Sequence, residues 1–326
     1  MSSRVWITWE HHRRSKELAP AFGCKYLVLD MSGRSRLARY FLSTLKTTSE
    51  VLRGRWTAVF VQCPSLVLAV LTAFLRSFKN FIYVIDAHNA LPNYERSDNA
   101  MLRALAGYAV RKADFVIVTN DELKAAIERF GGTPVVLPDK LPHIPARPAP
   151  NLLADIERPA IVLVCSFAWD EPIETVLDGL RKLEQPCTIF VTGKKHKAGD
   201  LLAYQSERIK FTDYLPEDEF EALIQHSDLI IDITIDERIL VCGAYEAVSV
   251  GVPSLLADFP VTRSLFNRGT VFAKNSAEDY AQAVADYMQR QSELRREMEA
   301  FKSEFNDRWS EQFNRASSAI QQAERA

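Results

Sequence analysis

The densest group of titratable side chains in this sequence lies in the loop that follows the first predicted strand. The segment Trp9-Glu-His-His-Arg-Arg-Ser-Lys16 comes directly after the run Arg4–Thr8. Carboxylate and imidazole groups can accept a proton from a substrate hydroxyl, and imidazole changes its charge nearest to neutral pH. The alternative general bases in this loop are Glu10, His11 and His12. The cations Arg13, Arg14 and Lys16 could hold a phosphate-bearing substrate, and an ordinary exposed loop would have the same composition.

Two further polar groups follow predicted strands. His88 lies just beyond the run Phe81–Asp86, and Gly193-Lys-Lys195 follows the run Cys187–Thr192. Open α/β sheets bind ligands at the carboxyl ends of their strands. Lys194 and Lys195 could therefore meet a phosphate group, although a solvated lysine loop would look the same.

The segment from Asp228 to Ser254 combines a strand, a loop and the start of a helix near Gly243 and Ala244. Backbone N–H groups at a helix N-terminus can receive a diphosphate. Glu246, one turn inside the helix, could then accept hydrogen bonds from a ligand's hydroxyl groups. The alternative role of this carboxylate is to compensate the helix dipole.

A scaffold for these groups is predicted by alternating β-rich and amphipathic runs. The strand candidates of the first half are Arg4–Thr8, Lys25–Asp30, Ala58–Gln62, Phe81–Asp86 and Phe115–Thr119. A segment with five prolines, from Leu137 to Pro150, cannot continue a helix or central strand. Beyond it the candidates are Ala160–Cys165, Cys187–Thr192, Ile209–Phe211, Leu229–Ile233, Ser254–Ala257 and Thr270–Phe272. The pattern predicts two parallel α/β sheets, in domains 1–147 and 148–300, and a C-terminal helix 301–326 that packs back on the first domain.

Length and composition agree with two globular domains. The chain has 326 residues, of which 47% are hydrophobic and 25% charged, and five scattered cysteines without a zinc-ligand spacing, so we expect a reducing, cytoplasmic location. The N-terminus shows no signal-peptide pattern. The uncharged segment from Trp56 to Leu75 is long enough to span a bilayer, but Pro64 instead divides it into a strand and a helix.

Charge is unevenly distributed along the chain. Before a cut near Arg147 there are 21 Lys and Arg against 12 Asp and Glu, and after it 19 against 30. The first 80 residues contain 13 basic and 4 acidic residues, so this part could attract phosphate groups or anionic lipid headgroups. Solvated helix faces are the alternative interpretation. The sequence has no dinucleotide-binding glycine fingerprint, Walker A loop, GxSxG or HExxH motif, which disfavours those enzyme classes.

The segment Asp228–Ser254 closely resembles the donor-binding segment of GT-B glycosyltransferases, particularly the retaining family 4 group, in which a helix that opens in Gly contains Glu-Ala and is followed by Gly-x-Pro. The resemblance implies that Glu246 binds the nucleotide ribose. One position departs from the family: the earlier of its two glutamates is Arg238 here, beside Asp236 and Glu237. The donor-binding residues implied by the resemblance are Glu246, Gly243, Ala244, Tyr245, Arg238, Glu237, Lys194, Lys195 and Ser166.

Two other segments extend the resemblance. The run from Cys165 to Leu180 contains Asp-Glu-Pro, as in some bacterial polysaccharide transferases, and His88-Asn89 is similar to a strand-end pair near the donor sugar. Inverting GT-B enzymes often place their general base in the first βα loop. The catalytic residues implied are His88, Glu10 and His12, and the acceptor-binding residues are His11, Arg13 and Arg14.

The expected fold is therefore α/β, of the GT-B type, with two Rossmann-like doubly wound parallel-sheet domains that face each other across a cleft. The expected reaction is sugar transfer from a nucleotide-sugar to a glycan or lipid-linked acceptor in bacterial polysaccharide biosynthesis. No bound metal is expected, because the Asp-x-Asp motif of metal-dependent transferases is absent from the sequence. No cofactor and no nucleic-acid partner are expected either. Weak peripheral association with an anionic inner membrane is expected. The alternatives are a GT-B sugar-nucleotide epimerase and a catalytically silent nucleotide-sugar-binding subunit of a transferase pair.

Overall fold

A computed structural model describes residues 3–63, 65–88 and 90–326 of the chain. The predictions that involve Pro64, as a turn, and Asn89, as the neighbour of His88, lie outside these residues. The described chain divides into two compact units. Unit 1 contains residues 1–140 and 308–326, and unit 2 contains residues 141–307. The domain boundaries predicted from the sequence are 147 and 300.

Unit 1 alternates strands and helices along the described part of its chain. Its strands are β1 Arg4–Thr8, β2 Cys24–Val28, β3 Ala58–Gln62, β4 Ile82–Asp86, β5 Phe115–Val118 and β6 Pro134–Val136. Its helices are α1 Arg13–Ala21, α2 Arg36–Arg53, α3 Leu66–Leu75, α4 Ala90–Asn93, α5 Ala100–Lys112 and α6 Asp121–Arg129. The strands pair in parallel in the order β2-β1-β3-β4-β5-β6.

Both faces of the first sheet are covered. Alternate residues of β1 enter different parts of the core: Val5 and Ile7 belong to one hydrophobic cluster, whereas Trp6 stacks on Phe60 at 5.3 Å between ring centroids. Burial on both faces explains why the strands of a parallel sheet are apolar throughout and do not alternate with polar residues.

Unit 2 repeats the pattern. Its strands are β7 Ala160–Leu163, β8 Thr188–Thr192, β9 Ile209–Asp213, β10 Leu229–Asp232, β11 Ser254–Ala257 and β12 Thr270–Ala273. Its helices are α7 Ile173–Arg181, α8 Glu217–Gln225, α9 Cys242–Val250, α10 Pro260–Leu265 and the first part of α11 Ala277–Arg325. The parallel strand order is β12-β11-β10-β7-β8-β9.

Helix α11 contributes to both units. Phe305 stands 6.3 Å from Phe266 in unit 2, measured between ring centroids. In the segment that belongs to unit 1, Phe313 lies 4.8 Å from Phe22. Phe305 and Phe313 of this helix are therefore packing residues, because their rings contact other aromatic rings of the two units.

The structure confirms the predicted α/β architecture, with one strand added. β6 was missed because it has only three residues and begins with Pro134, which cannot donate a ladder hydrogen bond and suits an edge position. The uncharged segment that was tested as a membrane span forms β3 and α3. Within the described residues, every helix is too short or too polar to cross a membrane.

Candidate functional site

Each sheet has one position where the chain reverses its direction of strand addition. In the first sheet this switch point lies between β1 and β3, and in the second it lies between β7 and β10. Ligands of doubly wound folds bind outside the carboxyl ends of the strands at such points. The loops that follow these four strands therefore contain the candidate sites of the two units.

The loop after β7 is folded around one carboxylate. Glu171 accepts hydrogen bonds from the amide of Ser166, at 2.9 and 3.1 Å, from the Ser166 hydroxyl at 2.9 Å, and from the amide of Ala168 at 3.0 Å. The predicted donor-binding residue Ser166 is exposed and lies at the switch point. However, Glu171 already accepts from both its amide and its hydroxyl, so a ligand would have to displace this carboxylate.

The N-terminus of α9 is met by Asp232, the last residue of β10. Its Oδ2 accepts the amide hydrogen of Gly243 at 2.7 Å. A Cβ at position 243 would lie 2.6 Å from this oxygen, so only glycine permits the close approach. The Gly243 amide therefore already donates to an internal carboxylate, and a diphosphate would have to displace Asp232 from it.

Burial raises the pKa of Asp232 well above its usual range. The hydrogen bond from Gly243 acts in the opposite direction, and the nearby carboxylates Glu246, Glu171 and Asp170 raise the pKa further. The start of α9 is thus surrounded by acidic groups, an environment that favours protonation of Asp232.

The other residues predicted on this segment have different environments. Glu246 is half-buried in α9, Glu237 is exposed, and Ala244 is fully buried. Arg238 has a relative exposure of 3%, and its amide donates to Asp236. Their predicted roles in donor binding remain predictions.

Tyr245 requires a correction. Its ring is buried and packs edge-on against Phe266 and Phe305, with centroid distances of 5.0 and 5.9 Å. A side chain enclosed by the core of unit 2 cannot contact a donor at the surface, so we remove the Tyr245 side chain from the donor-binding set.

The two predicted lysines follow β8. The ammonium group of Lys194 lies over the ring of Tyr214, 5.7 Å from its centroid, and the amide of Lys195 donates to Asp213 at 2.9 Å. Lys194 is exposed and Lys195 is partly exposed. Both cations are accessible next to the switch-point strand β7, as binding to an anionic ligand requires.

In unit 1 the switch point contains a cavity of about 160 Å³. Its lining residues come from the ends of β1 and β3, the loop after β1, the first turns of α2 and the residue before α3: Thr8, Trp9, Glu10, Arg39, Tyr40, Gln62 and Ser65. The hydroxyl of Thr8 donates to Gln62 Oε1 at 2.7 Å. Gln62 Nε2 is buried and has no hydrogen-bond partner among the described residues. A buried amide donor beside an aromatic wall suits a hydroxyl-bearing ring.

A buried ion network lies beside this cavity. Arg14 Nε donates to both carboxylate oxygens of Asp86, at 3.0 and 3.3 Å, Nη1 donates to Asp139, and Nη2 donates to the carbonyl of Leu137 at 2.8 Å. Burial acts to lower the pKa of Arg14, but the two carboxylates outweigh it and raise the value. Arg14 was predicted to bind acceptor. This prediction is wrong, because its side chain is 2% exposed and donates to groups of unit 1.

His88 and His12 meet next to this network. Their rings are in edge-to-face contact with centroids 5.2 Å apart. Burial lowers the pKa of His88, so its imidazole is neutral at pH 7. His88 also has a left-handed backbone, with φ of 45°, a strained conformation that is concentrated at functional sites. His12 Nδ1 is buried without a hydrogen-bond partner among the described residues. The structure thus brings two of the three predicted catalytic residues together.

The remaining residues of the first loop are more exposed. Glu10, the third predicted catalytic residue, lines the cavity. His11 lies 3.8 Å from Asp30, and Arg13 lies 3.6 Å from Glu17, with 77% and 55% of their side chains exposed. Both are accessible to an acceptor, so their predicted role remains open.

Four of these polar residues were not selected from the sequence: Asp86, Asp232, Gln62 and Asp139. The first three are the last residues of strands β4, β10 and β3. A polar residue that ends an apolar run was the available signal, because it marks the carboxyl edge of a parallel sheet. Asp139 lies in the proline-rich segment, where the sequence shows no such signal.

Comparison with known proteins gave matches at the level of structure. No protein-family model matches this chain, and no curated protein sequence matches it. HepE from Anabaena, in a complex with UDP and glucose, superposes with a TM-score of 0.76 at 12% identity and covers 98% of this chain and 99% of HepE.

Two further solved structures are similar over most of their length. Sucrose-phosphate synthase from Thermosynechococcus elongatus has a TM-score of 0.71 at 14% identity and covers 92% of this chain and 83% of that chain. A candidate UDP-N-acetylglucosamine 2-epimerase from Listeria monocytogenes has a TM-score of 0.67 at 14% identity, with coverages of 98% and 96%. The two six-stranded parallel sheets of the described chain match the two Rossmann-like domains of the GT-B fold.

Proposed function

We propose that this protein transfers a sugar from a nucleotide diphosphate donor to an acceptor hydroxyl. The observation that carries the proposal is the position of Glu246 in a GT-B fold: it is half-buried in the first turns of α9, beside the switch point of the second sheet. A carboxylate there can accept hydrogen bonds from the two hydroxyl groups of a ribose. HepE was solved with UDP-glucose, which makes UDP-sugars the first donors to test.

In this proposal unit 2 holds the nucleotide. Glu246 binds the ribose, while Lys194 and Lys195 approach the diphosphate, on which negative charge develops as its bond to the sugar breaks. Because the Gly243 amide already donates to Asp232, we assign anion binding mainly to these lysines. No divalent ion is required, so turnover should persist in EDTA. Complete loss of turnover that manganese or magnesium restores would contradict this part.

Unit 1 holds the acceptor in the cavity at its switch point. The acceptor oxygen forms a bond to the anomeric carbon, and its proton passes to Glu10 or His12. His88, whose imidazole is neutral at pH 7, orients the donor sugar through hydrogen bonds. The resemblance to family 4 implies retention of configuration, whereas a base at Glu10 or His12 would act in an inverting displacement, and the anomeric configuration of the product decides between the two. By the same resemblance we assign a lipid-linked glycan acceptor of bacterial polysaccharide synthesis and a cytoplasmic site of action at the membrane.

The direct test measures donor consumption with and without acceptor. Thermal stabilisation by UDP-, GDP-, ADP- and TDP-sugars first identifies the donor, and turnover is then followed with glycan and lipid-linked acceptors. Acceptor-dependent release of nucleoside diphosphate supports transfer. Turnover at the same rate without acceptor overturns it and favours epimerisation, the reaction suggested by the Listeria neighbour. Donor binding without turnover, until a second protein is added, favours a silent subunit.

A further inference from the structure

Helix α2 exposes larger apolar side chains than it buries. Its buried residues are Ser43, Thr47 and Val51, and the hydroxyl of Thr47 accepts the indole hydrogen of Trp9 at 3.0 Å. Its exposed apolar residues, with relative exposures of 85%, 63%, 51% and 37%, are Leu37, Phe41, Leu45 and Leu52. An ordinary surface helix has the opposite arrangement, with its apolar stripe toward the core.

The neighbouring helix α3 continues this exposure. It packs against α2, and Val67 and Phe74 are 46% and 54% exposed. Phe78, just beyond its end, is 65% exposed, and its ring contacts that of Phe74 at a centroid distance of 5.1 Å. These seven exposed side chains of α2, α3 and Phe78 form what we call the α2–α3 face. They are 7 of the 12 large hydrophobic residues that are exposed among the described residues.

The α2–α3 face is accompanied by positive charge. Residues 31–80 contain eight Lys or Arg and one acidic residue, Glu50, which pairs with Lys25 at 3.1 Å. Five of the basic residues are exposed and form no ion pair within the described parts of the chain: Arg34, Arg36, Lys46, Arg53 and Arg55. Exposed apolar residues flanked by unpaired cations are typical of surfaces that lie in the headgroup region of a bilayer.

We propose that the α2–α3 face docks on an anionic lipid bilayer. The apolar side chains enter the headgroup boundary, and the basic residues contact lipid phosphates. The same charge disfavours a second copy of this face as the partner, because two such surfaces would repel each other. Arg39 and Tyr40 of α2 line the cavity at the switch point of unit 1, so docking would bring that cavity close to headgroups. The inference deepens the proposed function, since it names the surface at which a lipid-linked acceptor is reached, but its test requires no sugar transfer.

The test is co-sedimentation of the full chain with vesicles. We expect binding to equimolar phosphatidylglycerol and phosphatidylcholine at low salt, loss at high salt, and at least tenfold weaker binding to phosphatidylcholine alone. Phe41→Ser combined with Phe74→Ser should weaken partition at least tenfold at low salt. Arg36→Gln combined with Arg53→Gln should weaken it about tenfold and reduce the salt dependence. Leu152→Ser, which alters a 41% exposed residue of unit 2, should bind as wild type.

Thermal unfolding verifies that each variant remains folded. Equal binding to the two vesicle types, no binding at any salt concentration, or unchanged binding of both double variants overturns the proposal. A lipid-free dimer that Phe41→Ser with Phe74→Ser converts to a monomer, without vesicle binding by wild type, assigns the α2–α3 face to self-association instead. Transfer to a water-soluble acceptor is measured in parallel, so loss of vesicle binding with retained transfer contradicts docking alone.

Discussion

Both units end a buried strand in an aspartate, but the two carboxylates have different surroundings. Asp86 ends β4 in unit 1, is fully buried, and pairs with the guanidinium of Arg14 at 3.0 Å. Asp232 ends β10 in unit 2, is 8% exposed, and accepts the amide hydrogen of Gly243. The neighbours that shift the pKa of Asp232 upward are carboxylates. An aspartate at the end of an apolar strand therefore meets different partners in the two units.

The two units use their buried charge differently. In unit 1 the buried pair connects the loop that contains His12 with the segment that contains Asp139 through the hydrogen bonds of Arg14. In unit 2 several carboxylates lie near the start of α9 and act on the pKa of Asp232. Bound nucleotide would add negative charge beside Asp232, and protonation of this residue reduces the resulting repulsion.

The largest expected effect is on the stability of unit 1. Arg14→Ala leaves Asp86 buried without its cation, which should lower the free energy of unfolding by about 3–5 kcal/mol. Urea denaturation measures the change. Arg13→Ala is the matched control, because Arg13 precedes Arg14 in the sequence and its side chain is 55% exposed. The free energy of unfolding of this variant should stay within about 0.5 kcal/mol of wild type. Equal effects of the two substitutions would show that the buried network is not structural.

The second effect concerns His88 beside that network. His88→Asn keeps a residue that tolerates the left-handed backbone, yet removes the imidazole. We expect kcat to fall about 100-fold, while the dissociation constant of the nucleotide, whose proposed binding site is in unit 2, stays within about twofold. Single-turnover kinetics and calorimetry separate the two quantities. A variant with unchanged kcat would exclude His88 from the reaction centre.

The third effect concerns Glu246, one of the acidic residues near the start of α9 in unit 2. Glu246→Ala should weaken binding of the nucleotide-sugar by about 1.5–3 kcal/mol, because the ribose hydroxyls lose a charged acceptor. Isothermal calorimetry measures it. Glu219→Ala, on the exposed surface of α8, serves as control. Donor affinity that is the same in both folded variants would remove the main support for nucleotide binding at α9.

The smallest effect is the contribution of Asp232 to the pH dependence of stability. Above the unfolded-state pKa of about 4, the unfolded chain has released the Asp232 proton, whereas the folded chain keeps it because its pKa is raised. Stability from this group therefore falls as pH rises toward the folded-state pKa. Asp232→Asn has no proton to release, so it should gain on wild type by up to about 1 kcal/mol per pH unit in this window.

Urea unfolding of both proteins at several pH values measures this gain. Asp86→Asn is the matched substitution in unit 1, and it should lower the free energy of unfolding because Arg14 loses its ion-pair partner. If Asp232→Asn lowers the free energy of unfolding as much as Asp86→Asn does, the contrast between the strand-end aspartates is absent.

The repeated α/β pattern could be predicted from local sequence. Runs such as Ala58–Gln62 and Ser254–Ala257 are apolar, β-rich and bounded by turn residues, and the structure has strands with those same bounds. The short strand Pro134–Val136 could not be recognised, because three residues show no strand pattern of their own. Its parallel pairing with β5 makes it a strand. The position of Glu246 early in a helix was likewise predictable from its motif.

Tertiary structure decided which polar residues are available to a ligand. Arg13 and Arg14 are adjacent in the same cationic loop, yet one is exposed and the other is enclosed by Asp86 and Asp139, which are 72 and 125 residues away. In the same way, Gly243 has a helix-start amide that Asp232 occupies, and Tyr245 turns into an aromatic core. Apart from β6, the sequence by itself determined the alternating strands and helices and the helix-start motif, because these depend on neighbouring residues. Burial, ionisation and hydrogen-bond partners depend on strand order, which brings distant residues together only in the folded chain.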